Sequence, residues 1–329
     1  MSTLTTAPRL LAPEATGLAR RKALDWVIEK VILLSSLAAL SVIILIFVFV
    51  AKESLPVLTS AEVHKEVTLG TLFLPQRYGT AEAPLPFVWQ PVSQVPKYSL
   101  MPLMLGSLKV TIVAMLFATP LAVLAAIFTT EFAPRWLREV VKPVIEMLAG
   151  IPSVVLGFFA LIVLATWIQD TFGLDFRLNA INAGVALGLA VIPIIYTICE
   201  DALNAVPKSY RQASLALGAS PWQTAWKVVL PSAIPGVFAG IVLGFGRAVG
   251  ETMIVLMASG NAAITSLAFA EPVRTLSATI AAELGEVPVG SAHYHVLFFL
   301  GTLLFLFTFV LNWAGTAMIG RLRRRMTGA

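Results

Sequence analysis

Charge is the first thing that this 329-residue chain has little of. Only 12% of its residues are charged and 58% are hydrophobic, and the mean hydropathy is +0.86. An ordinary soluble domain carries about 25% charged residues, so roughly half of the expected charge is missing. These values exclude a disordered chain, a coiled coil and a collagen. They leave a protein that crosses a membrane several times.

Cysteine is also scarce, and a common nucleotide-binding motif is missing. The single cysteine, Cys199, provides neither a disulfide framework nor a metal-ligand cluster. The dipeptide Gly-Lys never occurs, so the Gly-x4-Gly-Lys-Ser/Thr phosphate loop is absent from the sequence. We therefore expect no metal site, no cofactor and no enzymatic activity in this chain.

Long apolar stretches are what the sequence has instead. A membrane helix needs about 20 mainly apolar residues, and charge-free stretches of that size recur along the chain. The stretches are continuous rather than alternating, which excludes a β-barrel. We therefore predict an all-α membrane protein with six transmembrane helices. Their approximate bounds are residues 28–51, 103–130, 144–168, 179–200, 234–258 and 296–319.

Positive charge predicts the orientation of these helices. In a membrane protein, a net charge of +5 reflects topology better than nucleic-acid binding. With the N-terminus in the cytoplasm, 15 of the 23 lysines and arginines lie inside, seven lie outside and Arg247 lies in the membrane. The outside set is Lys52, Lys65, Arg77, Lys97, Lys109, Arg177 and Arg274. Cytoplasmic loops are enriched in these residues, so we expect both termini in the cytoplasm.

The same pattern divides the chain into segments. We expect a cytoplasmic tail at 1–27, a retained first helix at 28–51, an external segment at 52–102, a five-helix core at 103–320 and a basic cytoplasmic tail at 321–329. The external segment is rich in proline and aromatic residues. This composition predicts a small cap along the membrane surface rather than a long helix.

The cytoplasmic segment 201–232 has the most informative pattern. Apolar residues recur at helical spacing from Gln212 to Ala219, and the stretch Gly218–Pro221 then breaks the helix. Trp222, Trp226 and Val229 resume the helical face. We predict two short helices that meet at a glycine and protrude from the bilayer to dock a soluble partner. A helical hairpin lying flat on the lipid surface is the alternative.

These residues resemble the EAA loop of ABC-importer permeases. The family pattern is EAA, three residues, Gly, nine residues, Ile, one residue and Leu-Pro. Here the stretch Gln212–Ser214 takes the EAA place, and Gly218, Val228 and Leu230–Pro231 follow at the expected spacing. Gln replaces Glu, Ser replaces the second Ala, and Val replaces Ile.

A second motif, GFGRAVGETM at Gly244–Met253, resembles the signature of PstC-type permeases of phosphate importers. Two further stretches are similar to the same family: Phe128–Phe158 and the last span from His293. The resemblance covers roughly residues 100–320. The shorter core Arg-Ala-x-Gly-Glu also occurs in sulfate and molybdate permeases, so another oxyanion remains the nearest alternative. A self-contained secondary transporter or channel is the alternative from a different class.

The resemblance implies a six-helix permease of the type I ABC-importer fold in the bacterial inner membrane. It implies a heterodimer with a homologous PstA-like permease, two PstB-like ATPase subunits that hold ATP and Mg²⁺, and an external PstS-like phosphate-binding protein. Any ATP chemistry then belongs to another polypeptide. The implied ATPase-docking residues are Gln212, Ala213, Ser214, Leu215, Gly218, Ala219, Ser220, Trp222, Leu230 and Pro231.

Arg247 and Glu251 are the candidate residues for the translocation path, because they are charges deep in a predicted span. Such charges normally face protein or a water-filled cavity. Their i, i+4 spacing lets the side chains meet, and arginine suits phosphate because its planar donors match two oxygens. Thr252 follows in the motif, and Ser107 and Thr111 share one face of the second helix. A buried structural ion pair is the alternative reading of Arg247 and Glu251.

Overall fold

The computed structural model describes residues 15–79 and 84–327, and these residues are mostly helical. The chain divides into two units, residues 1–50 and residues 51–329. The helices are α1 (Ala15–Ser54), α2 (Pro56–Thr59), α3 (Leu69–Phe73), α4 (Met101–Ile127), α5 (Arg135–Ala149), α6 (Ser153–Phe159), α7 (Ala165–Phe172), α8 (Ala180–Asn204), α9 (Lys208–Ala216), α10 (Pro221–Thr224), α11 (Leu230–Gly250), α12 (Met253–Ala258), α13 (Leu276–Glu283) and α14 (Ala292–Thr327).

Several of these helices are joined by π-helical turns into longer spans. The turns are Phe128–Phe132, Ala160–Leu164 and Ala225–Val229. As the sequence predicts, the described part of the chain contains six helices long and apolar enough to cross a membrane. They are Leu24–Thr59, Met101–Phe132, Ser153–Phe172, Ala180–Asn204, Pro221–Gly250 and Ala292–Leu322.

Among the described residues, the first unit consists of the N-terminal part of α1. Three of its hydroxyl groups are satisfied inside the helix, because Ser35, Ser36 and Ser41 each donate to the carbonyl four residues earlier at 2.8 Å. A helix in hydrocarbon needs this internal pairing. The expected tail at 1–27 ends earlier than predicted, since residues 15–27 already belong to α1. Residues 1–14 lie outside the described residues.

The segment 52–102 forms short elements, as its prolines predict. These are α2, a 3₁₀ turn at Val63–Lys65, α3 and two small antiparallel hairpins. The hairpins pair β1 (Tyr78–Gly79) with β2 (Pro84–Leu85) and β3 (Trp89–Gln90) with β4 (Lys97–Tyr98). Side chains such as Val57, Leu72 and Tyr98 are buried in a common cluster with Val296 and Leu300 of α14. The segment is therefore a packed cap with its own apolar core.

The centre of the second unit is the contact between α4 and α8. Ala114, Ala118, Ala122 and Ala126 of α4 recur every four residues and are fully buried. Small residues at this spacing let two helices approach closely in a membrane. On α8, a Cβ at Gly184 would lie only 2.5 Å from the side chain of Val113, so the contact leaves no room for a larger residue.

The third span begins nine residues later than predicted. α5 is a separate amphipathic helix that ends at Ala149, and the span runs Ser153–Phe172 rather than 144–168. The reason is Pro152, which lacks an amide hydrogen and stands immediately before the first residue of α6. Hydrophobicity alone does not reveal this break, because apolar residues lie on both sides of it.

The fifth and sixth spans also differ from their predicted bounds. The fifth begins at Pro221 and ends at Gly250, because the backbone of Glu251 is extended (ψ 133°) and ends α11. The predicted helix 234–258 is therefore two helices, α11 and α12. The sixth helix, α14, continues through Thr327, so residues 321–327 of the predicted basic tail are helical.

Candidate functional site

The loop between α8 and α11 is built as predicted, from two short helices and a left-handed turn. α9 ends at Ala216, and Gly218 has φ +85°. This conformation costs other residues about 1–2 kcal/mol but is readily adopted by glycine. Ser220 then begins α10 with a capping box, in which its Oγ accepts from the Gln223 amide at 3.2 Å and its own amide donates to Gln223 Oε1 at 2.9 Å.

Most of the implied docking residues are exposed on this loop. Ser214 is the exception: it is buried, and its Oγ lies 2.9 Å from Thr224 Oγ1, which ties α9 to α10. Ala219, Leu230 and Pro231 are half-buried. The exposed residues are Gln212, Ala213, Leu215, Gly218, Ser220 and Trp222.

A surface groove lies on this loop, next to several of the implied docking residues. It has a volume of about 650 Å³ and is lined by Tyr210, Ala213, Leu217, Gln223 and Lys227, among others. Leu217, which is 90% exposed, was absent from the implied set. Its signal in the sequence is an apolar residue immediately before the helix-breaking glycine.

Arg247 and Glu251 meet, as their spacing predicts, but their surroundings differ. Arg247 Nη2 lies 3.5 Å from Glu251 Oε2, in a single long contact. The arginine side chain is 47% exposed and the glutamate side chain 8% exposed. Glu251 stands at the break after α11, where its backbone carbonyl accepts from Ser277 Oγ at 2.8 Å. Thr252 Oγ1 donates to the carbonyl of Gly250 at 3.3 Å.

Ser107 and Thr111 are placed elsewhere. Both are buried and line a largely apolar cavity of about 500 Å³ between α4, α11 and α14, whose lining does not include Arg247. Ser107 Oγ donates to the Leu103 carbonyl at 2.9 Å and accepts from the Leu276 amide at 3.0 Å. The structure therefore does not bring the five predicted path residues together, and it gives Ser107 a structural hydrogen bond.

Comparison with known families identifies this arrangement. Residues 118–328 match the family described as binding-protein-dependent transport system inner membrane component. The chain belongs to this family. It is a permease of the ABC-importer type, and this assignment replaces the alternative of a self-contained secondary transporter or channel.

Individual relatives agree with the assignment. The permease is 36% identical over 258 residues to the probable ABC transporter permease protein YqgH of Bacillus subtilis, covering 77% of this chain and 84% of that protein. It is 34% identical over 256 residues to the phosphate transport system permease protein PstC of Xylella fastidiosa, covering 72% and 78%. PstC proteins are thus among its homologues.

The fold is that of type I ABC-importer permeases. A solved chain of a bacterial alginate ABC transporter, in complex with alginate pentasaccharide-bound periplasmic protein, superposes with a TM-score of 0.54 at 15% identity. The match covers 94% of this chain and 97% of the other. The expected six-helix architecture with its coupling loop is confirmed at the level of fold.

Lys109 is a charge whose surroundings the sequence does not reveal. It belongs to the predicted outside set, and in the structure it lies within the first half of α4 and is buried. Its Nζ donates to the carbonyls of Ser266 at 3.0 Å and Ala268 at 2.7 Å. These contacts hold the irregular stretch that precedes α13 against α4. No local pattern signals them, because the partners are about 160 residues away.

A second missed group of residues surrounds Glu283 at the end of α13. Its carboxylate accepts from Trp89 Nε1 at 3.1 and 3.2 Å and from His293 Nε2 at 2.9 Å, and it pairs with Arg274 Nη1 at 2.7 Å. Burial raises the pKa of Glu283, but the hydrogen bonds from His293 and Trp89 and the charge of Arg274 outweigh it. The pKa of this carboxyl is therefore lowered. The group connects the cap, α13 and α14.

Proposed function

We propose that this permease imports inorganic phosphate. Two features support the proposal. Its homologues include proteins named PstC of phosphate transport systems, and a half-exposed arginine, Arg247, lies in the last turn of α11 within the fifth membrane span. Arginine binds phosphate well because its fork of donors matches two oxygens and because it stays charged at neutral pH.

The observation that carries the proposal is the unequal environment of Arg247 and Glu251. A buried structural pair would be expected to form several short contacts and hide both charges. Here one contact of 3.5 Å joins a buried carboxylate to a guanidinium that is 47% exposed. The remaining donors of Arg247 are accessible to an anion. Glu251 competes with the anion for the same guanidinium, and this competition weakens binding of the anion to Arg247 enough for the substrate to be released.

The proposed assembly follows the resemblance stated above. The permease forms a heterodimer with a PstA-like permease, and the coupling loops dock two PstB-like ATPase subunits that bind ATP and Mg²⁺. A PstS-like protein delivers phosphate from outside. In this assignment both termini and the coupling loop are cytoplasmic, as the 15-to-7 distribution of lysine and arginine favours.

Uptake by the complete importer in proteoliposomes tests this function. We expect labelled phosphate to be taken up in the presence of ATP, with excess sulfate or molybdate competing poorly. Arg247→Gln should lower uptake by at least about tenfold, since charged hydrogen bonds contribute ~1.5–3 kcal/mol each. Arg247→Lys should recover part of the uptake, because lysine keeps the positive charge but lacks the planar guanidinium that matches two oxygens.

Two controls make this test decisive. Arg177→Gln removes an exposed arginine outside the spans and should leave uptake unchanged. The double variant Arg247→Gln/Glu251→Gln removes both charges, which is often nearly neutral for a structural pair. Near-normal uptake by an assembled double variant would remove Arg247 from the path. Preferential uptake of sulfate or molybdate would replace phosphate with that anion.

A further inference from the structure

Arg211 connects the coupling loop to the membrane core. It stands on α9 immediately before the docking residues, and its side chain is only 21% exposed. Its Nε lies 3.2 and 3.1 Å from the two carboxylate oxygens of Glu131, and its Nη2 lies 2.7 Å from Glu131 Oε1. This is a bidentate contact, the geometry in which an arginine–carboxylate pair is most directional.

The same guanidinium also caps the end of α8. Its Nη1 donates to the Val206 carbonyl at 2.7 Å, and its Nη2 donates to the Leu203 carbonyl at 2.8 Å. The last carbonyls of a helix lack partners within the helix. One side chain thus joins the coupling loop, the end of α8 and Glu131, and each of its three nitrogens is used.

Glu131 belongs to the π-helical turn Phe128–Phe132 that ends the second span. Its carboxylate is 10% exposed, and its neighbours in the turn are held from two other helices. Arg138 of α5 donates to the carbonyls of Thr129 and Thr130, each at 2.8 Å. Tyr196 of α8 donates to Thr129 Oγ1 at 3.0 Å. The turn is therefore fixed on several sides and moves with the helices.

α4 extends from this turn to the opposite end of the bundle. Its buried alanines pack tightly on α8, and packed helices move as units rather than bending continuously. At the far end, Ser107 accepts from the amide of Leu276, and the next residue, Ser277, donates to the carbonyl of Glu251. A displacement of α4 thus reaches the residues that hold Glu251.

We propose that the Arg211–Glu131 pair is the joint that transmits movement of the coupling helix to α4. The docking residues lie on the outer surface of the loop, whereas this pair lies beneath them and touches the core. Movement of the loop by an ATPase therefore acts on α4 through these two side chains. This role is separate from docking and from substrate recognition, and it holds for any transported anion.

Distance measurement in the complete importer tests the joint without reference to the substrate. Spin labels are placed at Ser209→Cys on α9 and Leu116→Cys on α4, both exposed, after replacement of Cys199 by alanine. If the joint is rigid, ATP should change the distance between the labels by less than about 2 Å, the scale of ordinary helix shifts. With Arg211→Gln, ATP should move α9 without α4, so the distance should change by more than this.

Hydrolysis provides the functional readout. Arg211→Gln should assemble and retain basal ATP hydrolysis, while the stimulation by binding protein with inorganic phosphate should fall at least about fivefold, the lower range of typical coupling between sites. Lys208→Gln is the matched control, because it removes a positive charge from an exposed position of the same helix. It should leave both readouts unchanged.

Each outcome decides the proposal. An assembled Arg211→Gln complex with an unchanged distance and normal stimulation would overturn it. If that variant does not assemble, Arg211→Lys is measured in its place. The joint is supported if the assembled lysine variant shows reduced stimulation of hydrolysis and a larger ATP-induced change in the distance between the labels. If both measurements are normal in that variant, or if neither variant assembles, the pair is a folding element. If phosphate does not stimulate hydrolysis by the unmodified importer, the phosphate assignment is contradicted. The joint is still tested in that case, because the distance measurement needs only ATP.

Discussion

At the residue scale, Glu283 is a single carboxylate on which three segments depend. Trp89 belongs to the cap, Arg274 precedes α13, and His293 begins α14. Arg274 Nε also donates to Asn261 Oδ1 at 3.0 Å, which ties the irregular stretch to the same group. The net lowering of the Glu283 pKa means that the ionised carboxylate is favoured in the folded state.

Replacement of Glu283 by glutamine should therefore destabilise the end of the permease that carries the cap. The variant loses the negative charge of Glu283, which pairs with Arg274 in a mostly buried contact. The positive charge of Arg274 is then left without compensation. We expect the midpoint of thermal unfolding in detergent to fall by roughly 5 °C. Glu286→Gln, three residues later on an exposed position, should leave the midpoint unchanged.

The same group predicts a pH dependence with a definite sign. Because the pKa is lower in the folded state, this stabilisation is complete well above the unfolded glutamate value of about 4.3 and is lost as pH falls through the folded value. The unfolding midpoint of the native permease should therefore drop more steeply below about pH 4.5 than that of Glu283→Gln. Parallel curves for the two proteins would contradict this assignment.

At the element scale, the coupling loop depends on the left-handed turn at Gly218. Free space surrounds this residue, since nothing lies within 4 Å of a Cβ placed there. A side chain at Gly218 therefore acts through the backbone strain of φ +85° and through contact with the docked partner, and the core is untouched.

Gly218→Trp should accordingly uncouple the ATPase while the six spans remain folded. We expect an unfolding midpoint near that of the native permease, together with reduced co-purification of the ATPase and loss of substrate-stimulated hydrolysis. Gly173→Trp is the matched control: this glycine also has positive φ (+63°) and open surroundings, but it lies at the end of α7. Normal yield and stimulation with Gly218→Trp would refute the docking role of the turn.

At the scale of the whole molecule, orientation determines which surface meets the ATPase. The coupling loop and the cap lie at opposite ends of α8. At its start the Ala180 amide donates to the Glu271 carbonyl at 3.2 Å, in the stretch before α13, and Glu283 of α13 contacts Trp89 of the cap; at its other end α8 leads into α9. If the coupling loop is cytoplasmic, the cap faces outward.

Thiol labelling in intact cells measures this orientation. In a background with Cys199 replaced, Val92→Cys in the cap, which is 91% exposed, should react with an impermeant reagent from outside. Leu215→Cys on α9 should react only after the membrane is permeabilised, in cells that lack the ATPase. The reversed pattern would overturn the orientation and with it the docking assignment.

The number of spans and the coupling loop followed from the sequence because their causes are local. About 20 consecutive apolar residues make a span wherever they occur, and the glycine at position 218 permits a turn that most residues resist. The contact between Arg247 and Glu251 was likewise set by helical spacing. Span boundaries were harder, because Pro152 precedes the start of one helix and Glu251 ends another inside apolar surroundings.

What the sequence by itself determined is therefore the class of protein, its six spans, the contact between Arg247 and Glu251 at the end of the fifth span and the place of the coupling loop. Only the tertiary structure decided the partners of Glu131, Lys109 and Glu283. Each of these charges has at least one partner 80 or more residues away, and a buried charge is stable only where such partners are supplied. The same reason separates Ser107 from Arg247, since packing of α4 against α13 assigns that hydroxyl to Leu276.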